Sequence, residues 1–430
     1  MINFKKMSPG RIIVLGFALV VLTGTTLLYL PISSNEGVSV TLVDALFTAT
    51  SAVCVTGLVA VDLANTFNVF GRTVVAILIQ IGGLGVASIG VAFILLSRKN
   101  VGLKERILVK ESMNLNSLQG MVRLVKSIIT TTVFFEGTGI ILSFLVFSKD
   151  YSPLSALGIS IFHSISAFNN AGFDILGDFK NLTPYKDNVL LNLTTCGLII
   201  FGGLGFYAIR EIKQKKHFKT FGVNTKIVIT MTVTLLTLGT VLLKCTENIS
   251  WLGAFFQSTS ARTAGFNTYP LGDFSTSGLL TLIFLMFVGA SPGSTGGGIK
   301  TTTAFVIFKS IYSISANKNC TAFKRKIPKE SIIKAFVITT LAGLLVCFNT
   351  FLICLIEPQY TFLQVLFETV SGFGTVGLST GITPYLADLS KIILSFTMFC
   401  GRLGPLTMMC IWFSRTPSSL SYPEEKITIG

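Results

Sequence analysis

FETVSGFGTVGL, residues 367–378, lies between two apolar segments, 330–356 and 390–414, each long enough to cross a bilayer. A helix of about twelve residues is too short to cross by itself. Non-helical backbone at membrane depth persists only where protein buries it or where it lines a water-filled cavity. The stretch must therefore dip in and return. The same pattern recurs: FTATSAVCVTG ends at Gly57, FHSISAFNNAG at Gly172, FFQSTSARTAG at Gly265 and FETVSGFGTVG at Gly377. Phenylalanine stands ten residues before each glycine (Phe47, Phe162, Phe255, Phe367) and a hydroxyl residue six before (Ser51, Ser166, Thr259, Ser371). A second echo follows in the next span, as QIGGLG around Gly83, FGGLG around Gly203, FVGASPG around Gly289 and CGRLG around Arg402. Two independent registers argue for repeats.

Composition sets the solvent. Of 430 residues half are hydrophobic and only 12% charged, with a mean hydropathy of +0.72, so the chain reads as an all-α integral membrane protein. Apolar runs at 12–32, 72–97, 125–147, 188–210, 226–246, 277–314, 330–356 and 390–414 make eight spans. The first is too long and lacks the small-residue end of a cleaved signal, so it reads as a retained helix. The chain divides into repeats at about 12–97, 125–210, 226–316 and 330–414 of one membrane domain. Lys5, Lys6 and Arg11, with basic loops at 98–126, 210–226 and 309–334, place these segments and both termini in the cytoplasm of a plasma-membrane protein. The other connections carry most acids, among them Asp44, Asp62, Asp174, Asp178, Asp273, Glu357 and Asp388, and should draw cations to the outer mouth. The net charge of +15 is split among membrane-flanking loops, which argues against nucleic acid as a partner. Eight cysteines, Cys410 included, form no C-x-x-C pair, and neither a disulfide framework nor a zinc site is indicated.

Each repeat reads as a span, a short pore helix, a glycine turn and a second span. Two crossings per repeat keep all four in one orientation, so they can surround one axis in a pseudo-fourfold arrangement with eight transmembrane helices and four pore helices. Dehydrating a cation costs tens of kcal/mol, and inward backbone carbonyls can replace its water. Glycine reaches the required positive φ at little cost, and each pore helix turns its negative pole to the ion, worth about 0.3–1 kcal/mol. By contrast, Gly82, Gly83, Gly202 and Gly203 read as close helix packing.

Four such M-P-M repeats with single filter glycines resemble the Trk/Ktr/HKT superfamily of potassium transporters, and the compact length is most similar to its Ktr-type membrane subunit. The resemblance implies potassium as substrate, held by the carbonyls of Val55, Thr56, Gly57 and Leu58, of Ala171 and Gly172, of Thr263, Ala264 and Gly265, and of Thr375, Val376 and Gly377. Only GTVG closely approximates the potassium-channel consensus, so the four turns should differ in geometry. Plant relatives with serine at the first filter position favour sodium, and here that position is Gly57. The resemblance also implies a homodimer docked on a cytosolic ring of nucleotide-binding regulatory subunits. Nucleotide would then act only through that partner, because the segment after Trp412 is too short to sense one. No covalently bound cofactor is expected, and the need for sodium stays open.

The apolar run starting at Ser277 is nearly twice one crossing and centres on Pro292 and nearby glycines. GSTGGGIKT is not a phosphate loop, since the lysine would have to stand at Ile299 and no strand precedes it. It reads as a helix interrupted inside the membrane. The resemblance makes it an intramembrane gate carrying Gly289, Pro292, Gly293, Gly296, Gly297, Gly298 and Lys300. Arg402, mid-span in repeat four, must face water or a partner; the resemblance sets it beside the gate as a cation barrier, and the alternative is a buried pair with Glu136. Arg262 should brace its turn by hydrogen bonds, and Glu368 reads as a favourable charge near a helix start. His163 and His217 lack any catalytic constellation, and Arg402, Glu136 and Lys300 form no catalytic set, so no enzyme is expected. A sodium-coupled or less selective monovalent cation carrier is the alternative.

Overall fold

The computed structural model describes residues 7–96, 101–112, 120–412 and 425. Lys5, Lys6, parts of the first basic loop, the Cys410 side chain and most of the segment after Trp412 lie outside them. The described cysteines are all free thiols.

Helices come in four groups. The first holds α1 (Pro9–Tyr29), α2 (Leu42–Val53), the single turn α3 (Leu63–Thr66), α4 (Val69–Leu84) and α5 (Val86–Leu96). After α6 (Leu103–Ser112) the second comprises α7 (Met121–Phe147), α8 (Pro153–Phe168), α9 (Val189–Leu204) and α10 (Phe206–Lys215). The third has α11 (Val223–Thr246), α12 (Trp251–Ser260), α13 (Thr276–Phe287) and α14 (Thr301–Ser315). A two-stranded hairpin of β1 (Thr321–Ala322) and β2 (Arg325–Lys326) leads to α15 (Lys329–Ile356), α16 (Phe362–Gly374), α17 (Asp388–Leu403) and α18 (Pro405–Trp412). The sequence of a long helix, a short one and a broken one thus repeats.

Helices α1, α7, α11 and α15 are each long and apolar enough to cross a membrane, and two bent pairs bring the number to six. Large apolar side chains point outward from them, such as Val133, Phe134 and Ile141 on α7 and Leu344, Phe348 and Phe351 on α15. Such faces suit lipid, not water. The short helices are fixed at their starts. Thr41 Oγ1 accepts from Asp44 N (3.1 Å), Ser250 Oγ from Gly253 N (3.0 Å), and Thr361 forms a capping box with Gln364. Pro153 opens α8 at the position where a missing N–H costs nothing.

The second spans correct the expectation of continuous helices at 72–97, 188–210 and 390–414. The letters mark only 277–314 as interrupted, yet all four break. The chain bends by 96° between α4 and α5 and by 95° between α9 and α10. Gly85, Gly205 and Gly404 make the breaks with φ of 83°, 88° and 86°, a conformation closed to most side chains. Each break ends a helix early and strips its last carbonyls of their partners.

Packing runs in cyclic order. α4 lies on α8, α9 on α12, α13 on α16, and α17 returns to α2. An ion pair pins this last seam: Lys391 Nζ is 2.8 Å from Asp44 Oδ1, with side chains 9% and 13% exposed. Lys391→Met strands a nearly buried carboxylate and should cost on the order of 3 kcal/mol of stability. Thermal unfolding in detergent checks this, and Asp44→Asn in the same chain should recover most of the loss.

Candidate functional site

The four repeat glycines converge. A methyl group added to Gly57 would lie 3.0 Å from Gly172 Cα; one on Gly172, 2.8 Å from Gly265 Cα; one on Gly265, 3.1 Å from Gly377 Cα; and one on Gly377, 2.8 Å from Gly57 Cα. The series closes on itself. In each case the next turn's carbonyl, of Ala171, Ala264, Val376 or Thr56 respectively, is also crowded by that methyl group. All four glycines have positive φ (91°, 68°, 81° and 91°).

Two residues before each glycine stands a second left-handed residue, Val55 (φ 51°), Asn170 (59°), Thr263 (73°) and Thr375 (51°); sequence reasoning named three of them as filter residues but missed Asn170 and the shared conformation. None is glycine, and three are β-branched, for which this conformation is a genuine outlier. Its recurrence in four turns means that the surroundings impose it.

Hydroxyls hold the turns, unequally. Ser51 Oγ accepts from Gly57 N (3.1 Å) and donates to Leu58 O (2.8 Å), and Ser371 Oγ accepts from Gly377 N (3.1 Å). In the third turn the register slips by one. Thr259 bonds back into its own helix, to Phe255 O, and Ser260 Oγ donates to Phe266 O. Ser166 Oγ in the second turn has no partner among the described residues. Arg262 departs from the expected bracing role: its guanidinium is buried, and its Nε is unpartnered among the described residues.

Glu368 is no helix-start charge. It sits inside α16, buried, and accepts from Ser379 Oγ (2.9 Å), Thr380 N (2.8 Å), Thr380 Oγ1 (3.0 Å) and Thr383 Oγ1 (2.7 Å). The carboxylate thereby ties down the segment leaving the fourth glycine. A charge-assisted bond is worth about 1.5–3 kcal/mol, so Glu368→Gln should cost on the order of 2 kcal/mol of stability; thermal unfolding in detergent reads this out.

Two cavities flank the glycine ring. One of about 340 Å³ is lined by Gly57, Gly172, Gly265 and Gly377 together with Asp62, Asp174, Asn181 and Thr380. At its rim Lys180 pairs with Asp178 (2.8 Å) and holds that carboxyl below its usual range. The other, about 170 Å³, is lined by Gly83, Gly85, Gly293, Gly296, Gly298, Lys300 and Arg402.

Between the ring and the second cavity lies the segment joining α13 to α14. It is laced to the carbonyls that the helix breaks set free. Ser291 N donates to Gly203 O (3.0 Å), Thr295 N to Gly202 O (3.3 Å) and Gly298 N to Gly401 O (3.2 Å). Phe206 N, just past the break at Gly205, donates to Gly293 O (3.0 Å). A methyl group on Gly289 would lie 3.2 Å from Gly298 Cα, and one on Gly205 would run into Pro292 O. Lys300 Nζ folds back onto Gly296 O (2.6 Å). Arg402 donates to Thr295 O, Gly82 O and, at 3.2 Å, Gly83 O. It does not pair with Glu136, whose Oε1 accepts from Asn169 Nδ2 (3.0 Å). Gly82 and Gly202 do pack as expected, against the backbone of Val53 and Phe168 at the ends of α2 and α8.

A family model described as TrkH, cation transport protein, matches residues 4–421. The chain is 37% identical to the Ktr system potassium uptake protein B of Bacillus subtilis over 442 residues, covering 100% of this chain and 98% of that one. It is 37% identical to the protein of the same name from Vibrio alginolyticus, over 99% of this chain and 96% of the relative. The potassium/sodium uptake protein NtpJ of Enterococcus hirae is 34% identical over 99% and 98%. Among solved structures, the potassium transporter TrkH from Vibrio parahaemolyticus superposes with a TM-score of 0.75, at 18% identity, over 96% of this chain and 86% of that chain.

Proposed function

The chain belongs to the TrkH family of cation transport proteins, and from that premise we propose that it takes potassium into the cell through a single pore built by four M-P-M repeats. The observation that carries this reading is the closed series Gly57, Gly172, Gly265 and Gly377 on one cavity. Their turns form the selectivity filter. The carbonyls of Thr56, Ala171, Ala264 and Val376, with those of Val55, Thr263, Thr375 and the glycines, replace the water of a dehydrated potassium ion. Asp62 and Asp174 concentrate cations at the outer mouth.

Residues 289–300 act as the gate, with Arg402 as a fixed positive charge beneath the filter and Lys300 beside it. Eight spans follow if the two divided segments, α13 with α14 and α17 with α18, each cross once. Relatives named as components of a Ktr system support a multi-component assembly, in which the chain acts as a plasma-membrane homodimer docked on a cytosolic ring of nucleotide-binding regulatory subunits. The relative named for potassium and sodium uptake favours a second reading, a less selective monovalent cation carrier.

Expression in cells stripped of their own potassium uptake systems tests both. Growth at low potassium, with rubidium influx that sodium does not displace, supports the selective pore. Sodium influx of equal rate supports the second reading, and no influx of either ion removes both.

A further inference from the structure

The segment between α13 and α14 is bonded to the glycine turns as well as lying against them. Thr295 Oγ1 donates to Asn170 Oδ1 (3.2 Å), and Asn170 Nδ2 donates to Thr263 Oγ1 (3.2 Å). Gly297 N donates to Thr375 Oγ1 (2.8 Å). Asn170, Thr263, Thr295 and Thr375 are all fully buried. Asn170, Thr263 and Thr375 are the left-handed residues at the base of the second, third and fourth turns. The fit leaves no slack: a methyl on Gly296 would lie 2.8 Å from Thr263 Cβ, and one on Gly297 2.6 Å from Thr375 Cγ2. Thr295 is itself fixed from both sides, through its N–H to Gly202 O and through its carbonyl to Arg402.

We infer that Thr295 is a specificity-determining positioning residue, through which the seated loop holds the inner ends of the second and third filter turns in shape, while Gly297 N holds the fourth. The inference rests on reading the glycine ring as filter and the loop as gate. Left-handed backbone at non-glycine residues persists only where its surroundings over-determine it, and these hydrogen bonds are part of that determination. Loop displacement breaks them. The movement that admits ions therefore also loosens the sieve, and flux and selectivity change together. The first turn stands outside this coupling, since Val55 has no polar side chain and Thr56 Oγ1 has no partner among the described residues.

Thr295→Val keeps the shape and removes the donor, while Thr295→Ser keeps it. Rubidium and sodium influx are measured in whole cells carrying the full chain, normalised to its membrane abundance. Thr295→Ala replaces the valine variant if that one fails to insert. We expect the valine variant to raise influx and lower the rubidium-over-sodium preference at least threefold, and the serine variant to restore that preference. Raised influx with unchanged preference, or no change in either, overturns the inference. Gly265→Ser separates the two failures. If it changes uptake or preference while Thr295→Val changes neither, the coupling alone falls; if neither variant changes uptake or preference, the filter reading falls too.

Discussion

Serine at Gly57, Gly172, Gly265 or Gly377 is expected to cut potassium uptake or potassium-over-sodium preference by tenfold or more. Two costs combine at each position. The backbone is left-handed, with φ between 68° and 91°, where a side chain costs about 1–3 kcal/mol. The new Cβ then meets the backbone of the neighbouring turn, within 2.8–3.1 Å of the next glycine's Cα. A flexible side chain could swing away, but a neighbouring main chain cannot. Relief comes only by displacing the carbonyls proposed to hold the ion, and each 1.36 kcal/mol in a barrier is tenfold in rate. Gly343→Ala is the control, as nothing lies within 4 Å of a methyl there, and it should leave influx unchanged. Equal influx and preference in all four serine variants would detach these glycines from ion selection.

Arg402→Gln is expected to raise resting flux by about tenfold or more. The guanidinium joins three parts of the molecule, with Thr295 O in the loop and Gly82 O and Gly83 O at the end of α4. Its loss frees the loop on one side. It also removes a unit charge from the proposed pathway, where two like charges at 4 Å repel by about 4 kcal/mol at an effective dielectric of 20. Arg402→Lys keeps the charge without the fork-shaped donor set, so it should raise flux less. Shortening residues 289–300 should exceed both, because it removes the proposed gate itself. A glutamine variant with parental flux would leave Arg402 as a brace with no part in the barrier.

Much of this architecture is legible in the letters. The fixed phase of Phe47, Phe162, Phe255 and Phe367 with four glycines marks the turns, because only glycine fits where four backbones meet. The breaks at Gly85, Gly205 and Gly404 escape such a reading, although they stand at one register of the second echo, a few residues past Gly82, Gly202 and Gly401. Hydropathy alone sees an unbroken apolar run there, since a single glycine scarcely alters it. None of the left-handed Val55, Asn170, Thr263 and Thr375 is a residue that favours this conformation the way glycine does, so their common conformation comes from tertiary constraint. Glu368 finds its partners 11 to 15 residues later, a separation that no helical period in the letters marks. Lys391 and Asp44 are 347 residues apart, a pairing that follows only once the ring is closed.

The most direct measurement is anomalous diffraction from crystals of the protein grown with rubidium or thallium. The account predicts a peak on the axis among the carbonyls of Thr56, Ala171, Ala264 and Val376. Strong peaks elsewhere in the molecule, with none among these four oxygens, would contradict it.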